Sequence, residues 1–254
     1  MNRLRRYGDE PYDVGVLHGG PGALGDVAFL AEKISNDHGV VEPLFDQPSI
    51  EGQLNWLKEV VRENCEEPIT LVGHSWGAWL AWIFAAKYDE VKKVVLVSSP
   101  PFDEEYIGEM KETLLERMDE EQERRYFELR EKMAEDDKGL KEYGELITEL
   151  SSYDFVPHEK DELEVLSEVN EKVWREAERL RRSGELLKMA EDIDCPVVAI
   201  YGDHDHHPYR GVKEPLSELL EEFKFVFLEK CGHYPWFEKN ARDEFFRVLR
   251  EEIG

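Results

Sequence analysis

The segment Leu71-Val72-Gly73-His74-Ser75-Trp76-Gly77 constrains this chain more than any other. The apolar run Ile69–Val72 predicts a strand, and Trp76–Tyr88, apolar on nearly every face, predicts a deeply buried helix. Between them stands a G-x-S-x-G, a strand-to-helix turn so tight that the positions flanking the serine must be small, hence Gly73 and Gly77. Such a turn holds its serine in strained backbone with the hydroxyl above the sheet. It also aims the first amides of the following helix at developing negative charge. Ser75 is therefore the candidate nucleophile.

The flanking sequence has the matching rhythm. Val14–Leu17, Val40–Phe45, Val94–Val97, Pro196–Tyr201 and Phe225–Leu228 read as strands. Leu24–Ser35, Ile50–Glu63, Val212–Glu222 and Asn240–Glu252 read as helices between or after them. This βαβ punctuation calls for a mainly parallel sheet with helices on both faces. From Pro101 onward about ninety residues are Glu- and Lys-rich and helical, with no convincing strand. Leu163, Leu166, Val169, Val173, Ala177 and Leu180 form one apolar stripe there, and Tyr126, Leu129 and Met133 a shorter one. The expected organisation is an α/β core of residues 1–101 and 193–254, with residues 102–192 inserted as a helical cap.

Charge and cysteine content narrow the function classes. A net charge of −26 over 254 residues repels polyanions, so nucleic acid is a poor partner. The excess is concentrated between Asp103 and Asp192, with about thirty acidic against fifteen basic residues. Most of these are expected to be a solvated helical surface, with one or two available to a cationic substrate group. No run approaches the roughly 20 apolar residues of a membrane span, and the start MNRLRRYGDEPYDVG lacks a signal-peptide core. Cys65, Cys195 and Cys231 have neither disulfide nor zinc spacing, which fits a reducing cytoplasm. Cys231 lies near His233 but is expected to be a small buried thiol rather than a nucleophile.

A serine hydroxyl needs a base. His233, in the loop Glu229-Lys230-Cys231-Gly232-His233-Tyr234-Pro235 after the last strand, is placed to swing over the sheet edge. His18 is expected to bond within its glycine cluster, His74 to point away from Ser75, and His38 and His158 to lie at the surface. The orienting carboxylate follows another strand end, in Gly202-Asp203-His204-Asp205-His206-His207-Pro208. Asp203 and Asp205 are both candidates, with turn capping the competing role for Asp203 and a surface position expected of His206. A metal is not expected on this loop, because neighbouring side chains on one short loop seldom converge on a single ion. Gly19 and Gly20, in Leu17-His18-Gly19-Gly20-Pro21-Gly22, let backbone approach a substrate, so an amide there can complete an oxyanion hole with that of Trp76. No Walker or dinucleotide fingerprint is present, and no cofactor is expected.

Together these residues resemble an α/β-hydrolase over nearly the whole chain, in the superfamily's order of serine, acid and histidine. HGGPG with GHSWG is similar to the proline iminopeptidase branch, as is Phe45-Asp46-Gln47, although Pro48-Ser49-Ile50 stands where that branch continues RGxGxS. The resemblance selects Asp205, three residues after the strand-ending glycine, and implies a triad of Ser75, Asp205 and His233 with oxyanion amides on Gly20 and Trp76. It also implies that residues 102–192 occupy the family's cap position, and that the antiparallel strands at the N-terminal edge are reduced or lost. The implied activity is hydrolysis through an acyl-enzyme, as an aminopeptidase acting on a short peptide or small molecule. Alternatives are a small-molecule esterase or thioesterase, a carbon–carbon bond hydrolase, and a non-catalytic ligand-binding homologue. Trp76, Trp79 and Trp236 are candidates to shape the pocket, with core packing the equal or better role for Trp79.

Overall fold

The computed structural model describes residues 3–156 and 163–254, so His158 lies outside the described residues. The chain begins β1 (Leu4–Tyr7), β2 (Tyr12–Leu17), β3 (Ala23–Leu24), α1 (Ala28–Ile34), β4 (Gly39–Pro43), α2 (Ile50–Asn64), β5 (Cys65–His74), α3 (Trp76–Ala85) and β6 (Val91–Val97). Helices then dominate: α4 (Ile107–Arg117), α5 (Glu120–Lys132), α6 (Asp137–Ser151), the short strand β7 (Glu164–Val165), α7 (Ser167–Arg182) and α8 (Glu185–Lys188). The last elements are β8 (Val197–Gly202), α9 (Arg210–Leu219), β9 (Phe223–Leu228) and α10 (Arg242–Ile253).

Seven strands form one sheet in the order β1-β4-β2-β5-β6-β8-β9. All neighbours run parallel except β1, which pairs antiparallel with β4 as the one remnant of an antiparallel edge. Strand residues alternate between two cores, as the period of two requires. Leu71, Leu96 and Ala199 join α2, α3 and α9 on one face, while Val72, Val95 and Ile200 join α1 and α10 on the other. The chain moves outward from β2 to β4, then returns to β5 and continues the opposite way. That reversal puts the carboxyl ends of β2 and β5 side by side, the crevice where open α/β sheets receive ligands. Leu17 opposite Gly73 brings the HGGPG and GHSWG turns together.

Several boundaries differ from the sequence expectation. The helix expected from Leu24 starts at Ala28, because Ala23 and Leu24 pair with β7, a strand in the segment expected to be all helix. Leu163 and Leu166 therefore precede α7 in extended chain, and only the stripe from Val169 to Leu180 is helical. That stripe joins the core cluster of Trp76 and Trp79, so α7 is cemented to the sheet layer. Leu114, Tyr126, Leu129, Leu146 and Leu150 close a separate cluster among α4, α5 and α6.

The elbow tolerates no side chain at its glycines. A Cβ on Gly73 would sit 2.2 Å from the Gly77 carbonyl oxygen, and one on Gly77 would sit 2.3 Å from that of Leu17. Gly144, exposed within α6, would meet nothing within 4 Å. Gly77→Ala is expected to destabilise the fold by several kcal/mol, on the order of 3–5. Gly144→Ala should stabilise it by about 0.5–1 kcal/mol through the lower entropy of alanine in a helix. Urea unfolding midpoints of the two variants check the opposite signs.

Candidate active site

Ser75 sits at the junction of β5 and α3 with φ 50° and ψ −116°, a strained conformation for a non-glycine residue. Its amide donates to the Val97 carbonyl at 2.9 Å, so the neighbouring strand β6 holds the turn in place. The serine is 8% exposed and opens on the carboxyl ends of the strands.

The two loop carboxylates separate cleanly. Asp203 accepts the Cys231 amide at 3.0 Å and so staples the loop after β8 to the loop after β9. Asp205 receives His233 Nδ1 on both oxygens, at 2.9 and 3.0 Å, and the His207 amide at 3.0 Å. A carboxylate only accepts, so the His233 proton sits on Nδ1 and the Nε2 lone pair is left for another partner. Burial by itself would raise the Asp205 carboxyl, but its paired contact with His233 outweighs that and holds the group well below the usual carboxylate range.

The glycine turn is sorted in the same way. The Gly19 amide is taken by Asp26 Oδ1 at 3.1 Å, whereas the Gly20 and Trp76 amides have no partner among the described residues. Gly20 adopts φ +38° as its carbonyl accepts the Ala23 amide at 2.8 Å. His18, as expected, is structural: it lies within 2.9 Å of the Gly19 carbonyl and accepts the Phe45 amide at 3.0 Å. His74 turns toward Tyr234 and Trp236, and its Nε2 donates to the His233 carbonyl at 3.0 Å. His38 is half-buried beside Asp13, 3.3 Å away, rather than free at the surface. Cys231 is buried, and burial pushes its thiol up, away from nucleophilic thiolate.

The sequence points to a surface position for His206 and marks no role for His207 or Arg117. All three belong to the site's surroundings. His206 is 6% exposed, with Nδ1 2.8 Å from Ser151 Oγ. His207 Nδ1 lies 3.1 Å from the Ser98 carbonyl. Arg117 on α4 donates to the carbonyls of Leu150 and His204, at 2.9 and 3.0 Å. The available signal was the run His206-His207-Pro208 directly after the acid; nothing in the sequence marks Arg117. Trp76 and Trp79 meet Trp174 of α7 edge-on at 5.9 and 6.0 Å, forming an aromatic wall beside the elbow. Trp79 is wholly buried with its indole bonded to the Pro100 carbonyl at 3.1 Å, so it is core as much as wall. Trp236 packs on the other face, with α10.

A parallel sheet with a strained serine at its switch point and a carboxylate–imidazole pair two loops away defines an α/β hydrolase. Residues 16–248 match the sequence profile of the alpha/beta hydrolase family, and the chain belongs to it. No curated protein matches the sequence. Among solved structures the chain is similar to VinJ, with TM-score 0.72 and 16% identity over 98% of this chain and 93% of that one. It is also similar to the proline iminopeptidase of Mycobacterium smegmatis, with TM-score 0.66 and 14% identity over 98% and 93% of the two chains. For the monoacylglycerol lipase of Paleococcus ferrophilus the values are 0.61, 20%, 98% and 97%. At these identities the likeness is one of fold. No helix among the described residues is long and apolar enough to cross a membrane.

Four histidines around this centre are held neutral by burial. His18, His74 and His206 are all lowered, and His207 falls to about 4, burial outweighing the pull of Asp205. A histidine with a lowered folded pKa leaves the unfolded chain to bind protons first as pH falls. Its stabilising contribution is full above about pH 6.5 and is lost as pH falls below that, for His207 toward pH 4. Each such group contributes a slope of up to about 1.4 kcal/mol per pH unit in that window. Asp205 adds a loss of the same sign, but only below its unfolded value of 3.8. Glu42, which burial raises to about 7, and Glu238, also raised, act with the opposite sign, so the four rings are expected to leave a net fall in the urea midpoint between pH 6 and 4.5. A midpoint unchanged over the lower range would contradict the neutral, buried state of these rings.

Proposed function

We propose that this hydrolase is a serine hydrolase acting through an acyl-enzyme on Ser75. The observation that carries the reading is the two-oxygen contact of Asp205 with His233 Nδ1, which leaves Nε2 basic in the loop whose backbone touches the elbow at His74. His233 takes the proton of Ser75 as the hydroxyl attacks the acyl carbon, and returns it to the leaving group. Asp205 keeps the imidazole in the correct tautomer and stabilises its charged form. The Gly20 and Trp76 amides receive the oxyanion, an assignment supported by their lack of other partners among the described residues and by Asp26 occupying the Gly19 amide. No cofactor enters these steps. The reading includes residues 102–192 as a cap over the strand ends. In its support, the Leu166 amide donates to the Gly22 carbonyl at 2.7 Å, Asn170 Nδ2 to that of Pro21 at 2.9 Å, and the His233 amide to that of Ser151 at 2.9 Å. Three unpaired cysteines suit a reducing cytoplasm.

Two substrate readings divide the acyl chemistry. HGGPG with GHSWG favours a free-amine substrate, an N-terminal residue of a short peptide or its amide. The side chains around the site favour an uncharged ester or thioester. Three cap carboxylates that reach the core are already engaged: Glu164 by Arg3, Glu176 by the Ile50 amide and Glu109 by Arg210. The wall beside Ser75 is the aromatic group of Trp76, Trp79 and Trp174. An ammonium needs a carboxylate within about 4 Å to gain a few kcal/mol, so the geometry supports an uncharged acyl group best.

Ser75→Ala should lower turnover of a p-nitrophenyl ester by about a million-fold with the fold intact, and abolish fluorophosphonate labelling. Near-normal turnover in that variant would remove Ser75 from the mechanism. Asp205→Asn should cost about four orders of magnitude and Asp203→Asn far less, since Asp203 only staples two loops; steady-state kinetics of the pair check the ranking. Proline and alanine anilides compared with short-chain esters decide the substrate class. Anilide turnover that is lost on acetylating the amine supports the peptidase, and inert anilides beside rapid esters support the esterase.

A further inference from the structure

Three imidazoles crowd around one carboxylate beside the elbow. The His206 and His207 rings lie 4.2 Å apart, His207 and His233 4.7 Å, and His206 and His233 5.0 Å. Of these three rings the proposed hydrolysis uses only that of His233; His207 enters it through its backbone amide on Asp205, not through its ring. One potential donor atom from each of Asp205, His207 and His233 nevertheless falls within 4.8 Å of the others.

The hydrogen bonds decide which nitrogens are available. The Ser98 carbonyl 3.1 Å from His207 Nδ1 can only accept, so the proton lies on Nδ1 and the lone pair on Nε2. His233 is set in the same sense by Asp205. Metal-binding imidazoles carry this signature: one N–H is held by a carboxylate or backbone carbonyl, which orients the ring and leaves the other nitrogen to the ion. The two donors come from different loops, after β8 and after β9, which removes the objection that neighbours on one short loop do not converge.

We propose that His207 and His233 form a binding site for a borderline divalent transition ion such as Zn²⁺ or Cu²⁺, and that its occupancy switches hydrolysis off. Two imidazole nitrogens suit these ions, while Ca²⁺ and Mg²⁺ prefer oxygen. Water completes the coordination. The ion takes the His233 Nε2 lone pair that would otherwise accept the Ser75 proton, so the hydroxyl is left without a base. The switch rests on the proposed role of His233; the binding site does not.

The test titrates Zn²⁺ against a chromophoric zinc indicator at pH 7.5 with the wild type, Ser75→Ala and His207→Asn. Asparagine can set an amide N–H where Nδ1 stood, keeping a donor for the Ser98 carbonyl while removing Nε2. A single ion should bind per chain in the wild type and in Ser75→Ala, and His207→Asn should bind at least about tenfold more weakly. Hydrolysis of p-nitrophenyl acetate by the wild type should fall over the same zinc range and return on adding a chelator. His207→Asn should need at least about tenfold more zinc for the same loss. Unchanged affinity in His207→Asn overturns the site, and zinc binding without loss of turnover overturns the switch. If His207→Asn does not fold, the wild type loaded with Cu²⁺ decides: electron paramagnetic resonance coupling to two imidazole nitrogens supports the site, and one or none overturns it. Zinc binding through His207 in a chain that hydrolyses neither esters nor anilides overturns both the switch and the hydrolytic reading while upholding the site.

Discussion

The candidate site depends on one buried charge. Asp205 is 8% exposed, and an isolated carboxylate at that depth would be prohibitively costly. It is tolerated because His233 Nδ1 meets both oxygens and the His207 amide meets one. Those partners arrive only if the loops after β8 and β9 keep a set separation. Asp203 on the Cys231 amide, the His204 amide on the Cys231 carbonyl at 2.8 Å, and the bare α-carbon of Gly202 against that carbonyl maintain it. A Cβ on Gly202 would approach the same oxygen to 2.1 Å, so this contact is open to glycine alone.

A second set of contacts joins this pair to the other half of the sheet. His74, inside the elbow, donates to the His233 carbonyl, and its Nδ1 lies 3.6 Å from the Asp26 carboxylate that holds the Gly19 amide. The serine turn, the His233 loop and the glycine turn are thus tied together. Glu238 is wholly buried and accepts the amides of Tyr153, Asp154 and Gly232 at 3.0, 2.8 and 3.0 Å. One carboxylate therefore holds the end of α6 and the His233 loop to a common point. Charge in this protein is mostly solvated, but two of its buried carboxylates, Asp205 and Glu238, are placed where loops must meet.

Much of the fold was legible because its signals are local. Short apolar runs alternating with amphipathic stretches identify a parallel α/β sheet, and six of its seven strands lie where those runs predict, within a few residues, whereas the edge strand β1 has no such run. The elbow was legible for the same reason: a tight turn needs Gly73 and Gly77, and that need is written in five consecutive residues. The start of α1 was not. Leu24 opens a stretch of helical periodicity, yet Ala23 and Leu24 pair with Val165 and Glu164, about 140 residues away, and a two-residue strand has no period to detect. His206 was misplaced for a similar reason, since its burial comes from Ser151 on α6.

The sequence by itself determined the class of sheet, the position of the serine turn, and a short set of residues able to serve as acid and base. These follow from backbone sterics and from hydrophobic period, which act over neighbouring residues. Only the tertiary structure decided which candidate carboxylate meets an imidazole, which glycine amide stays free, and that His207 stands beside His233. Each of those outcomes is a distance between segments that the sequence keeps apart. Asp203 and Asp205 are chemically the same residue two positions apart, and their neighbours across the β8–β9 boundary send one to a backbone amide and the other to a histidine.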